Sequence, residues 1–211
     1  MEIILGLVIL MFSAILHEVA HGYMADRFGD PTARLMGRLT LDPRPHIDLF
    51  MTILLPLMLL MSGSPVIFGG AKPVPIDPFN LKEGRKDVAL VALVGPLTNA
   101  LLAIAAAILI KLLGLFLVPS SQLYAICYTL LAIIVQYNLL LAIFNLLPIP
   151  PLDGSKVFAL LLPEEQANKY LALGSIGMFI LLFLLMFPIG GFSLMQLVTN
   201  LLHLSQSLLL P

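Results

Sequence analysis

Three features of the sequence predict an all-α membrane protein, a polytopic helical bundle with a small membrane-associated β element between its first and second core helices. Hydrophobic residues make up 60% of the chain against 11% charged, and the mean hydropathy is +1.04, far outside the range of soluble domains. Apolar runs long enough to cross a hydrocarbon core recur along the 211 residues. Between the first two of these lies a stretch with strand-like alternation and clustered prolines.

The first run, from about Ile3 to Tyr23, is 21 residues, or roughly 31 Å of helix, enough to span. It has neither a basic start nor a cleavage site at the usual distance, so it reads as a retained helix rather than a removed signal. From Asp26 to Asp48, Arg34, Met36, Arg38 and Thr40 alternate with Leu35, Leu39 and Leu41, which predicts a strand. Residues 49–62 are apolar but short and contain Pro56, fitting a re-entrant segment better than a crossing. The prolines and paired glycines of residues 64–80 forbid a helix and favour an edge strand or extended segment.

Spans are expected at 88–117 and 121–147, separated by a turn at Pro119, Ser120 and Ser121. After a break at Pro148, Pro150 and Pro151, a short amphipathic helix is expected from Gly154 to Leu162. Residues 171–187 can span again, and 192–210 form a last apolar helix. The chain reads as one transmembrane domain over 1–211, with a core at 1–160 and accessory helices at 165–211. Eight Lys or Arg lie between residues 26 and 87, which puts that segment on the cytoplasmic side with both of its ends on one face. A net charge of -1 offers no basic surface for nucleic acid, and the single cysteine, Cys127, has no disulfide partner in the chain.

The first helix carries His17-Glu18-Val19-Ala20-His21, the H-E-x-x-H pattern. Imidazoles at i and i+4 share one helix face about 5–6 Å apart and can reach one zinc ion, while Glu18 points to another sector, as a general base must. Random placement would produce the pattern about twice in a thousand such chains. Ionisable groups inside a span cost about 2.5–3.5 kcal/mol each at the helix centre, so three together mark a functional site. A catalytic zinc needs a third protein ligand. The candidates are His46, His203, Asp42, Asp48, Asp77, Asp87 and Asp153; Asp153 is favoured because it follows a proline-broken helix end on the same side as the motif. Its alternative role is capping the helix that starts near Gly154.

These residues resemble the site-2 protease family of intramembrane zinc metalloproteases, in a compact form without a PDZ domain. The matching pieces are His17 to His21, Gly37 to Pro43, His46 to Asp48, Gly70 to Pro75, Gly95-Pro96-Leu97-Thr98-Asn99 and Asn145 to Gly154. The resemblance implies one Zn2+ per chain held by His17, His21 and Asp153, Glu18 as base, and Asn145 supporting substrate or the developing oxyanion. It also implies regulated intramembrane proteolysis of a membrane-protein substrate with a transmembrane helix, in a prokaryotic inner membrane with the active site near the cytoplasmic face. The competing class is a non-proteolytic membrane scaffold or metal-transport protein. Transport would call for ionisable residues along several spans, whereas the middles of the later spans lack them, apart from the amides Asn99, Gln136 and Asn138.

Overall fold

The computed structural model describes residues 2–54, 57–58, 61 and 71–210. Helix α1 runs over Glu2–Phe28, 27 residues, and continues past the expected end at Tyr23 through Asp26 and Arg27. Gly29 stops it. With φ at +113° this glycine adopts a backbone that side-chain-bearing residues rarely take. Its N–H bonds to Asp26 O at 3.2 Å and that of Asp30 to Ala25 O at 2.9 Å, a Schellman closure of the last turn. Helices α3 (Arg85–Phe116, 32 residues) and α4 (Gln122–Asn145, 24 residues) follow the one-turn helix α2 (Thr32–Leu35). Ser121 caps α4 by accepting from Tyr124 N.

These three long helices are each apolar and long enough to cross a membrane. The end of α1 packs on the start of α3 through Ala25, Leu81 and Val91, so α1 and α3 run antiparallel and both ends of the intervening segment lie on one side. Small residues let the backbones approach. Ala89, Ala92, Gly95, Ala103, Ala106 and Ala107 of α3 are all buried, as expected of helix contacts in lipid, where close van der Waals packing replaces a hydrophobic driving force.

The remaining helices are shorter than expected for crossings. They are α5 (Asp153–Phe158), α6 (Glu164–Ala172), α7 (Gly174–Met186) and α8 (Leu194–Leu209). At 13 residues, α7 is roughly 20 Å long, and it reaches span length only together with α6, from which it is bent by 71°. Leu181, Leu185, Leu194 and Val198 of α7 and α8 bury against Leu147 and Leu152. That cluster pins the chain between α4 and α5. The carbonyl of Pro150 occupies the place a side chain on Gly177 would take, so a larger residue there would push α7 off this segment.

The expected β element is not found among the described residues. Residues 32–38 spend their backbone donors on local turns, Leu35 N to Pro31 O, Met36 N to Thr32 O and Arg38 N to Ala33 O, and Gly37 turns the chain with φ at +65°. Arg34 faces Asp26, and Arg38 folds inward onto the carbonyl oxygens of Lys72 and Pro73. The alternation therefore reports one solvated and one buried arginine rather than a pleat. Pro73, Pro75 and Pro78 carry no N–H for a ladder, and between the two stretches the described backbone bond is Lys72 N to His46 O, at 2.8 Å. Residues 64–70 of the expected extended segment, and part of the expected re-entrant 49–62, lie outside the described residues. Leu49–Leu54 forms a π-helix.

Asp30 knots this irregular connection. Fully buried, it accepts from Thr32 N, Thr32 Oγ1, Asp77 N at 2.7 Å and Asn80 Nδ2 at 3.1 Å. Burial alone would raise the pKa of its carboxyl, but those donors outweigh it and hold the group below its ordinary value. The stabilisation is complete above the ordinary carboxylate range and is lost as pH falls through the depressed folded value. Asp30→Ala is expected to destabilise the protein by about 1–3 kcal/mol at neutral pH, from the donors left unpaired. Thermal unfolding in detergent at about pH 7 and about pH 3 should show wild type losing more stability on acidification than the variant.

Candidate metal centre

His17 and His21 lie on one face of α1, with Nε2 atoms 2.9 Å apart. Each of these atoms is 3.1 Å from Oδ2 of Asp153, the first residue of α5. All three side chains are at least nine-tenths buried. Asp153 does not cap its helix: Leu152 stands at the cap position without a side-chain bond, and the Asp153 carboxylate turns to the histidines.

The tautomers follow from the other ring nitrogens. His21 Nδ1 lies 2.6 Å from the carbonyl oxygen of Val91, which can only accept, so Nδ1 carries the hydrogen. His17 Nδ1 lies 2.6 Å from Asn99 Oδ1, again an acceptor. In neutral rings both Nε2 atoms then present lone pairs to each other and to a carboxylate oxygen. Three acceptors meeting in a buried site repel unless a cation sits among them. A tetrahedral zinc ion with ligands at about 2.0–2.1 Å separates its donors by about 3.3 Å, close to the 2.9–3.1 Å triangle found here. The donor set of two imidazoles and one carboxylate fits zinc with a fourth position open.

Lys156 Nζ binds the other Asp153 oxygen, Oδ1, at 3.0 Å. The Lys156 ammonium thus sets a positive charge beside the carboxylate that faces the two imidazoles.

The triangle opens on a cavity of about 510 Å³ whose lining includes Glu18, Asn145 and Lys156 with the apolar side chains of Val74, Ile76, Phe144 and Met178. Glu18 Oε2 accepts from Val74 N at 2.8 Å, so the irregular connection reaches back over the site through one backbone donor. Asn145 gives one amide hydrogen to Leu141 O at 3.1 Å. The other candidates stand apart from the triangle: His46 donates from Nε2 to Thr40 O, Asp42 pairs with Arg44, Asp77 and Asp87 accept from nearby backbone N–H groups, and His203 is exposed on α8. Among the described residues, His17, His21 and Asp153 form the group of chelating side chains close enough to hold one ion.

Sequence reasoning did not assign Gly95, Asn99 and Val91 to this site. Gly95 had a signal in its proximity to Pro96 and Asn99, but its reason is spatial. A Cβ on Gly95 would overlap Nε2 of both His21 and His17, so only hydrogen leaves room for the rings and an ion.

Residues 5–188 match the profile of peptidase family M50, the site-2 protease family. The chain belongs to this family. YwhC of Bacillus subtilis, whose name proposes a zinc metalloprotease, is 36% identical over 193 residues, covering 88% of this chain and 81% of YwhC. Rip2 of Mycobacterium tuberculosis, named in the same way, is 33% identical over 175 residues, covering 83% of this chain and 62% of Rip2. MJ0611 of Methanocaldococcus jannaschii, again so named, is 41% identical over 98 residues, covering 46% of this chain and 45% of MJ0611. No solved structure matches the chain. Family membership and the three long apolar helices make this an integral membrane protein.

Gly95→Ala tests this close approach. Alanine is favoured over glycine inside a helix by about 0.5–1 kcal/mol, but overlap with two buried rings costs about 1–3 kcal/mol, so the variant is expected to unfold at a lower temperature than wild type. Zinc retention during dialysis against a chelator should fall, because the new methyl displaces the imidazoles.

Proposed function

We propose that this chain is an intramembrane zinc metalloprotease that hydrolyses a peptide bond in or near a transmembrane segment of another membrane protein. The observation that carries the reading is the convergence of His17 Nε2, His21 Nε2 and Asp153 Oδ2 at one corner of a cavity that also holds the Glu18 carboxylate. His17, His21 and Asp153 would hold the ion. When bound, zinc supplies a water acidified to a pKa of about 7 and a Lewis acid for the peptide carbonyl.

The protein's own residues do the rest. Glu18 is anchored through Oε2 by Val74 N, which leaves Oε1 to take a proton from the attacking water. As the C–N bond breaks, that proton passes from Glu18 to the departing nitrogen, so the carboxylate is regenerated. Asn145 has a second amide hydrogen beyond the one on Leu141 O, and from the cavity wall it can donate to the oxygen on which negative charge develops. The apolar walls formed by Val74, Ile76, Phe144 and Met178 suit residues from a transmembrane segment. Such a segment must leave its helix before attack, because helical hydrogen bonds shield the carbonyl.

His17 precedes Asp26 by nine residues of α1, about 14 Å along the axis. The site is thus two to three turns from the charged end of the helix, deeper than a motif beside the interface. The eight Lys and Arg of residues 26–87 support a cytoplasmic position for that end under the positive-inside rule.

Purified wild type and Glu18→Gln, assayed for zinc and for cleavage of single-span reporter proteins, test the proposal. Both are expected to hold about one zinc per chain, with the variant at least about 100-fold slower. Equal cleavage by the two proteins would remove Glu18 from its role. A wild type that binds zinc and cuts no reporter under any condition would remove the protease reading. Val74→Pro deletes the donor to Glu18 and should slow cleavage by about 10-fold, the lower end of what a hydrogen bond to a charged group contributes, with zinc content unchanged.

A further inference from the structure

The middles of three membrane-spanning helices each contribute a polar residue to one buried spot: Ser13 from α1, Asn99 from α3 and Asn138 from α4. Asn99 has no exposure at all and Asn138 only 1%. Amides at this depth are costly unless every donor and acceptor is matched. Here the matching is directional.

Asn138 Nδ2 gives its hydrogens to Ser13 Oγ and to Ile134 O, each at 2.9 Å. Its Oδ1 therefore accepts, and it does so from Asn99 Nδ2 at 2.9 Å. The second hydrogen of Asn99 Nδ2 points to Ser13 O at 3.3 Å. Asn99 Oδ1 is left facing His17 Nδ1 at 2.6 Å. Turning the Asn99 amide over would set its oxygen against two acceptors, Asn138 Oδ1 and Ser13 O, and its NH2 against the N–H of His17. The orientation of Asn99 is thus fixed from behind by Asn138 and Ser13, and it dictates in turn which nitrogen of His17 is protonated.

We propose that Asn99, locked by Asn138 and Ser13, is a positioning residue of the metal centre that holds His17 in the tautomer and direction needed to bind the ion. This rests on the metal-centre reading given above. The two histidines differ in this respect. His21 is oriented by a main-chain carbonyl, that of Val91, which no substitution removes, whereas His17 depends on a side chain that can be changed.

The test measures metal binding rather than cleavage. Zinc affinity is read by competition with a chromogenic chelator, and the ligand field by the visible absorption of the cobalt(II)-loaded protein, for wild type, Asn99→Leu and Asn99→Asp. Asn99→Leu removes the acceptor, and affinity is expected to fall by about 10- to 100-fold with an altered cobalt spectrum. Asn99→Asp keeps an acceptor at His17 Nδ1 while losing both donated bonds and setting its second oxygen against Asn138 Oδ1 and Ser13 O, and should retain more affinity than Asn99→Leu, with the wild-type cobalt spectrum. If Asn99 only tied the spans together, the aspartate would damage binding as much as the leucine, and that result overturns the proposal. Equal affinities for wild type and Asn99→Leu overturn it as well. Should Asn99→Leu not fold, Asn138→Leu leaves the Asn99 amide free to turn. A loss of affinity there supports the assignment, and none refutes it. A wild type that binds no zinc is the distinct signature of a failed metal-centre reading, and takes this inference with it.

Discussion

Two imidazole nitrogens and one carboxylate oxygen meet within 3.1 Å of one another in the interior of a membrane protein, and as bare acceptors they would repel. That repulsion is strong because little water screens it. Everything nearby can be understood as holding the three atoms together in spite of it. The N–H groups of the two rings are tied to Val91 O and Asn99 Oδ1, the second carboxylate oxygen is tied to Lys156, and Gly95 withholds a side chain where one would intrude. A divalent cation turns the same arrangement from repulsive to attractive, which is why a site of this kind stays assembled in lipid.

The fold must bring residues 132 positions apart in sequence, His21 and Asp153, to the same point. Antiparallel packing of α1 and α3 solves half of this, since the small residues of α3 allow the H-E-x-x-H face to be covered closely. The other half falls to the irregular stretch after Asn145. Helix α4 ends, the proline-rich residues turn back, and α5 starts at Asp153 beside α1. Non-helical backbone at membrane depth is tolerated only when surrounded by protein or water. Here the Leu147, Leu152, Leu181 and Leu194 cluster provides the protein side and the cavity the other. The C-terminal helices thus serve the site indirectly, by covering the segment that delivers the carboxylate.

Much of this was legible along the chain. The motif at 17–21, the order of three long spans and the proline break before Asp153 are local patterns, each with a local cause: helical periodicity, hydrocarbon thickness and the missing N–H of proline. The β element was not, because alternation in Arg34 to Leu41 cannot distinguish a pleat from a turn in which Arg38 folds inward onto two carbonyl oxygens. The expected span at 171–187 reaches crossing length only when α6 and α7 are taken together, and apolar composition alone does not reveal the 71° bend between them. Asn138 stood out in the sequence only as an amide in an apolar run, and Asn99 as that and as the end of the Gly95 to Asn99 piece, with nothing to link either to His17.

The sequence by itself determined that the protein spans a membrane and carries two histidines and a glutamate at the spacing of a metal-dependent hydrolase, since these depend on composition and on neighbours within one helix. Only the tertiary structure decided that Asp153 faces the histidines rather than capping α5, that Glu18 is held by the backbone of Val74, and that Asn99 stands behind His17. Those relations join α1 to residues 56 to 136 positions later in the chain. No local periodicity encodes them. They are fixed by how closely α1, α3 and α4 pack and by the requirement that each buried donor in lipid find its acceptor.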